Sequence, residues 1–149
     1  MTATAHAVLG TVIAAKVGNP ALAIPLAIAS HIAADMFPHW DTATNISRKG
    51  KRRAIIDSFI DLILGFLLSY AIVFFLFPHT NLFYVLFLIL ISQSLDWLML
   101  PYYFLRIKFP LFVWAYKFQK SFNHSLDKPW GIINQIAVLA LIVILAMIF

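Results

Sequence analysis

Long apolar runs constrain this chain more than any other feature of its sequence. Three of them cover residues 54–77, 81–101 and 129–149, and two shorter ones cover 3–17 and 20–38. About 20 apolar residues in a helix span the roughly 30 Å of hydrocarbon in a bilayer. The first run would rise only about 22 Å as a helix, which predicts a short or re-entrant span. The pattern therefore predicts an all-α integral membrane protein, a single domain over 1–149 with a bundle of about five transmembrane helices.

The composition excludes most other classes of protein. Of the 149 residues, 62% are hydrophobic and 11% are charged, and the mean hydropathy is +0.90. A soluble domain is about 25% charged and about half apolar, so a cytosolic globular domain and a disordered chain are both excluded. The chain has no cysteine, which excludes a disulfide framework, a thiolate zinc site and a cysteine nucleophile.

The basic residues predict how the chain is oriented. All of the 11 except Lys16 fall in two blocks, 48–53 and 106–128, that lie between apolar runs, as is typical of loops kept in the cytoplasm. Residues 102–128 mix aromatic residues with lysines, which indicates an interfacial amphipathic stretch before the last span. With five spans, the N-terminus lies inside with both blocks and the C-terminus lies outside. No basic n-region precedes the first run, so this segment is expected to remain in a multi-pass protein of the inner (plasma) membrane.

The ionisable residues are segregated on this topology. All six acidic residues are Asp, and the polar side chains of the spans fall almost entirely in the cytoplasmic half. That half contains His6, His31, Asp35, His39, Asp41, Asp57, Asp61, Gln93, Asp96, His124, Asp127 and Asn134. The outer half contributes little beyond Lys16, Asn19, His79 and Asn81. Such segregation favours one polar site at the cytoplasmic end of the bundle.

The spacing of these residues predicts a metal site. His31 and Asp35 are four residues apart and share one helix face, and Asp57 and Asp61 repeat that relation. A carboxylate in a transmembrane helix costs about 2.5–3.5 kcal/mol on insertion scales, and no Lys or Arg lies at matching depth. A divalent ion such as zinc, manganese or magnesium would compensate for this cost. The predicted ligands are His6, His31, Asp35, Asp61, Asp96 and His124; Asp41 and His39 are candidate acid–base groups, and Asp57, Gln93 and Asn134 are candidate supporting residues.

Simpler roles stay open at several of these positions. His6 could be a packed histidine, and Asp41 could be a loop or capping residue. Asp57 lies near Arg52 and Arg53 and could pair with either of them. Asp127 precedes a helix and suits an N-cap.

Three motifs carry a resemblance to a known family. They are Met-Thr-x-x-x-His6-Ala-x-x-Gly10, then Ser30-His31-x-x-x-Asp35-Met-Phe-Pro38-His39-Trp40-Asp41, and Asn123-His124-Ser125. Over residues 1–41 and 121–126 the chain resembles the LexA-binding, inner-membrane-associated family of metal-dependent hydrolases. In that family the second motif reads Leu-Pro-Asp-x-Asp. The resemblance implies functional roles for His6, Asp35, Asp41 and His124.

Three functions are consistent with the pattern. The first is a metal-dependent hydrolase at the cytoplasmic membrane face, acting on a lipid-linked or phosphate-containing substrate that the basic loops would attract. The second is a cation or proton transporter that uses the same Asp and His residues as a pathway. The third is a non-enzymatic membrane scaffold. Membrane lipids are the expected partners, nucleic acid is not expected, and the oligomeric state is left open.

Overall fold

The computed structural model describes all residues from 1 to 149 and is all-helical, with eight helices and no strands. The helices are α1 (Ala3–Lys16), α2 (Pro20–Met36), α3 (Ile46–Lys49), α4 (Lys51–Leu76), α5 (Leu82–Ser92), α6 (Ser94–Leu105), α7 (Pro110–Phe122) and α8 (Trp130–Ile148). The prediction of an all-α chain is confirmed.

Helix α1 lies at the centre of the bundle, because it is apolar on every side. It packs against α2, α4, α5 and α8, and its residues from 5 to 14 are all buried. A helix that is hydrophobic all round is stable only when its whole surface is covered. Two glycines allow the close approach: a Cβ at Gly10 would lie 2.7 Å from the carbonyl oxygen of Leu88, and one at Gly65 would lie 3.0 Å from Cα of Thr4. The shortest apolar run thus forms the core.

The apolar helices differ in length and exposure. By length and composition α4 and α8 can each cross a membrane, whereas α1 and α2 are shorter apolar helices. Large hydrophobic side chains are exposed along α4, among them Phe59 (63%), Leu67 (63%) and Phe75 (75%). The outer face of the bundle is therefore apolar along its length.

The predicted span over 81–101 is interrupted in the structure. Helices α5 and α6 are separated at Gln93 and meet at an angle of 47°, and the pair counts as a third crossing only if taken together. The side-chain amide of Gln93 donates to the carbonyl of Ala3 at 2.9 Å. The break places Asp96 in the first turn of α6, where the helix dipole favours a negative charge.

The stretch before the last helix contains the amphipathic helix α7. Pro110 opens α7, and Arg106 ends α6 in a left-handed backbone conformation. Helix α7 packs on α6 and α2 through a face that buries Ala115 and Gln119, four residues apart. One face of α7 is thus directed at the bundle.

Two connecting segments pair at the same end of the bundle. The N–H of His39 donates to the carbonyl of His124 at 3.1 Å, and the N–H of Leu126 donates to the carbonyl of His39 at 2.6 Å. The N–H of His124 donates to the carbonyl of Asp35 at 2.9 Å. A Cβ at Gly131 would lie 2.2 Å from the backbone oxygen of Leu126 and 2.7 Å from the backbone nitrogen of Trp40, so glycine is required there. These contacts hold the chain that follows α2 against the start of α8.

Candidate metal centre

Three histidines and three aspartates meet at this end of the bundle. Helix α1 supplies His6, α2 supplies His31 and Asp35, the following segment supplies His39 and Asp41, and α6 supplies Asp96. His6, His31, His39 and Asp35 are completely buried. Neither Lys nor Arg forms an ion pair with these carboxylates, since the only such pairs in the chain are made by Asp57. The cluster is therefore an acceptor-rich group without a basic side chain to balance it.

Asp35 is at the centre of the cluster. Its Oδ1 lies 3.3 Å from Nε2 of His6 and 3.9 Å from Nε2 of His39, and its Oδ2 lies 3.4 Å from Nε2 of His31. Ligands at about 2.0–2.2 Å from a tetrahedral metal are themselves about 3.4 Å apart. The shortest of these separations match the edges of such a coordination shell.

A second carboxylate completes the group. His6, His31 and Asp96 each offer one ligand atom, and these three atoms all lie within 4.8 Å of one another. The Asp96 oxygens lie 4.0 Å from Nε2 of His6 and 4.0 Å from Nε2 of His31. Asp96 is the more exposed of the two carboxylates, at 29% against 0% for Asp35. A bound ion would thus have Asp35 on its buried side and Asp96 nearer to solvent.

Backbone carbonyls orient two of the imidazole rings. Nδ1 of His31 lies 2.7 Å from the carbonyl oxygen of Ser92, and Nδ1 of His39 lies 2.6 Å from that of Phe37. A carbonyl oxygen only accepts, so Nδ1 of each neutral ring carries the proton and Nε2 carries the lone pair. Both lone pairs then face the carboxylate of Asp35. Two facing acceptors are favourable only with a proton or a metal ion between them, and this tautomer is the usual one for a metal-binding histidine.

His6 is held without a hydrogen bond to either ring nitrogen. Its ring stacks on that of His31 with centroids 3.8 Å apart and planes at 16°, and both nitrogens are buried and unpartnered. The carbonyl of His6 accepts from the Ser92 hydroxyl at 2.7 Å, which fixes the backbone there. An unpaired buried polar atom costs about 1–3 kcal/mol, which a metal bond would remove.

Gln119 is a member of the cluster that the sequence did not reveal. Its amide nitrogen lies 2.6 Å from Oδ1 of Asp96, 3.3 Å from Oδ2 of Asp35 and 3.3 Å from Nε2 of His31. An amide has two hydrogens to donate, so one of the three acceptors is left over. Its own oxygen, Oε1, is buried without a partner. The spacing of Ala115 and Gln119 on the inner face of α7 is the signal that could have identified it.

Two nitrogen atoms outside the helices complete the surroundings of Asp35. The amino group of Met1 contacts Oδ1 of Asp35, and burial lowers its pKa to about 6. Burial also lowers the pKa of His39 to about 4, with a smaller contribution from the positive charge at Met1. Near pH 7 the ring of His39 is therefore neutral, and its Nε2 lone pair is available to a metal or a proton.

Several predicted site residues make other contacts. Asp61 accepts from the backbone N–H of Ala3 at 2.6 Å and from the hydroxyl of Thr4 at 2.7 Å, so it caps α1. The side chain of His124 is exposed, and its Nδ1 lies 3.0 Å from the carbonyl of Phe122. Of the positions implied by the family resemblance, His6, Asp35 and Asp41 lie in the cluster and His124 does not.

The three candidate supporting residues lie around the cluster rather than in it. Asp57 pairs with Lys49 at 3.3 Å and with Arg53 at 2.8 Å. The amide of Asn134 donates to the carbonyl of Pro38 at 3.4 Å. Together with the Gln93 contact to α1, these interactions position backbone segments.

A cavity of about 740 Å³ opens beside the cluster, between α4 on one side and α6 and α7 on the other. Asp41, Asp61, Asp96 and Gln119 line its polar part. Its other walls are mostly hydrophobic and include the aromatic side chain of Trp97. This volume lies within the range of about 300–1,000 Å³ that is typical of small-molecule sites. Of the candidate metal ligands, Asp96 lines this cavity, whereas His6, His31 and Asp35 are buried behind it.

No family model, curated protein or solved structure matches the chain.

Proposed function

We propose that this chain is a metal-dependent hydrolase of the inner membrane that acts at the cytoplasmic face on a lipid-linked or phosphate-containing substrate. One observation carries the proposal: the lone pairs of His31 and His39 face the buried carboxylate of Asp35 with no basic side chain nearby.

The membrane part of the proposal is supported by the apolar surface and the helix lengths. Five crossings would be made by α1, α2, α4, the bent pair α5 and α6, and α8. Helix α4 has 26 residues and would rise about 39 Å, enough for the hydrocarbon core. The basic segments 48–53 and 106–128 would lie in the cytoplasm, and the C-terminus outside.

Cysteine labelling tests this topology directly, because the chain has no cysteine of its own. Arg52 and His79 are exposed residues at opposite ends of α4. In spheroplasts, a membrane-impermeant maleimide is expected to label His79→Cys and to label Arg52→Cys only after the membrane is opened. Labelling of both single-cysteine variants from the same side would contradict the topology.

The donor set indicates which ions the site would hold. Imidazole and carboxylate ligands together suit zinc or manganese, whereas magnesium prefers oxygen ligands and several waters. His6, His31, Asp35 and Asp96 would bind the ion, and Gln119 would orient the two carboxylates. When bound, such an ion polarises a phosphoryl oxygen and lowers the pKa of water.

The remaining polar residues suit proton transfer. Nε2 of His39 has a free lone pair and lies 3.9 Å from Asp41. Burial lowers its pKa to about 4, so the ring is neutral and its lone pair is free at pH 7. Asp41 lines the cavity and would hold the protonated ring in place. These two residues are the candidate general base and its orienting partner.

Chelation tests the hydrolase directly. The purified protein in detergent is expected to release phosphate from an isoprenyl diphosphate. Treatment with EDTA should lower the rate by at least about 100-fold, because the ion supplies several kcal/mol of transition-state stabilisation. Zinc or manganese should restore the rate.

Two outcomes would contradict the proposed hydrolase function. The first is a rate that survives complete removal of metal. The second is the absence of hydrolysis together with ion flux in proteoliposomes that requires Asp35 and Asp96, which would favour a transporter.

A further inference from the structure

A second, basic pocket adjoins the cavity. It has a volume of about 330 Å³ and is lined by Lys51 from the start of α4, Arg106 from the end of α6, and three tyrosines. The tyrosines are Tyr102, Tyr103 and Tyr116. No carboxylate lines the pocket, so its two cations have no acidic partner.

The contacts of Lys51 differ from those of two basic residues close to it in the chain. Lys49 and Arg53 form ion pairs with Asp57, whereas the amine of Lys51 donates to the carbonyl of Phe104 at the end of α6. This contact fixes the amine at the end of α6, two residues before Arg106 in the chain. An anion bound in the pocket that both residues line would be attracted by both charges.

The backbone at Arg106 is a separate observation. Its φ of 62° is in the left-handed region, which an L side chain adopts at an energetic cost and which glycine or asparagine would adopt more easily. Backbone strain of this kind is often found at ligand-binding positions.

We infer that Lys51 and Arg106, with the hydroxyls of the three tyrosines, bind a phosphate group. A phosphate offers several acceptor oxygens, which guanidinium, ammonium and phenol groups all recognise as donors. The pocket shares Tyr103, Phe104 and Tyr116 with the large cavity, so one ligand can occupy both. The ligand is a phosphorylated amphiphile: its phosphate lies in the basic pocket and its chain lies against the apolar wall of the cavity.

The phosphate site does not depend on the metal cluster. The proposed function is needed for one further step only, that the pocket holds the substrate with its scissile bond at the metal cluster. The substrate would then carry the scissile group and a phosphate in one headgroup, bound at two points.

Binding to detergent-solubilised full-length protein tests the inference. Lysophosphatidate is expected to bind saturably, and Lys51→Gln with Arg106→Gln should weaken it by at least about tenfold, because each charged hydrogen bond is strong. The control combines Arg52→Gln with Lys108→Gln, which removes the same charge from the same two segments outside the pocket. The control should bind as the unchanged protein does. Uncharged monoacylglycerol should bind equally to all three proteins.

A single variant protects the test against misfolding. Arg106→Gly removes the guanidinium and relieves the left-handed backbone, so it should fold at least as well while still weakening lysophosphatidate binding. Competition with inorganic phosphate distinguishes a site for free phosphate from a site for the phosphate of an amphiphile. If it competes as strongly as lysophosphatidate, the site binds free phosphate and the amphiphile is excluded.

Two results would overturn the phosphate site. One is equal weakening in the pocket variant and the control, which would indicate general attraction to a basic surface. The other is unchanged binding in the pocket variant. Metal content measured in the same samples distinguishes this inference from the proposed hydrolase function. Loss of phosphate binding with metal retained affects the basic pocket alone. Loss of metal with phosphate binding retained affects the metal cluster alone.

Discussion

Replacing Asp35 by asparagine is expected to weaken metal binding by at least about 100-fold, because this carboxylate faces the Nε2 atoms of His6, His31 and His39. Loss of a residue that only supports a ligand already costs about 10–100-fold in affinity. Asparagine has the same shape, and a neutral side chain is easier to bury than a carboxylate. Elemental analysis of the purified protein, before and after dialysis against chelator, measures the effect.

Asp57→Asn is the matched control for Asp35→Asn. It removes the same charge from a carboxylate that pairs with Lys49 and Arg53 outside the cluster. The control should retain metal at the level of the unchanged protein. Equal metal content in all three proteins would exclude Asp35 as a ligand, and an absence of metal from the unchanged protein purified with zinc and manganese present would exclude the centre itself.

Replacing Gly10 by alanine is expected to lower the stability by about 1–3 kcal/mol, the usual cost of forcing an extra group into a packed core. The added Cβ would lie 2.7 Å from both the backbone oxygen of Leu88 and the hydroxyl of Ser92. A backbone atom cannot rotate away, so α1 and α5 would have to separate. Thermal unfolding in detergent, followed by loss of the monodisperse peak in size-exclusion chromatography, measures the change.

The effect of Gly10→Ala should extend to the metal centre. Ser92 accepts from His31 through its carbonyl and donates to the carbonyl of His6 through its hydroxyl. Separation of α1 from α5 would therefore displace two candidate ligands, and metal content should fall with stability. Gly18→Ala is the control, because a Cβ there would meet nothing within 4 Å. Equal unfolding temperatures for the two variants would contradict the packing argument.

The relative positions of residues within one helix can be predicted from their spacing in the sequence. The spacing of His31 and Asp35 places both on one face of α2, and the structure keeps their side chains 3.4 Å apart. Contacts between segments that are far apart in the sequence cannot be predicted in this way. At the helix break, the side-chain amide of Gln93 donates to the carbonyl of Ala3, a partner 90 residues away. An apolar sequence around a glutamine does not reveal such a partner.

The positions of Gln119 and His124 show the same limit. An amphipathic helix near basic residues predicts a surface position, yet α7 directs Gln119 at two carboxylates. His124 follows α7 closely, but its backbone rather than its ring contacts the cluster, through the carbonyl of Asp35. Which group of a residue faces inward depends on the path of the chain, and the residue type alone does not define that path.

By itself, the sequence determined that the chain is helical, that it has an apolar surface and that its ionisable residues gather at one end. These properties follow from the length of the apolar runs and from the cost of burying charge. Only the tertiary structure decided that α1 is the covered centre, that three imidazoles face one carboxylate and that Asp61 accepts hydrogen bonds from the start of α1. Those outcomes depend on contacts between α1, α2, α4, α5 and α7, which close packing selects and periodicity along the chain does not encode.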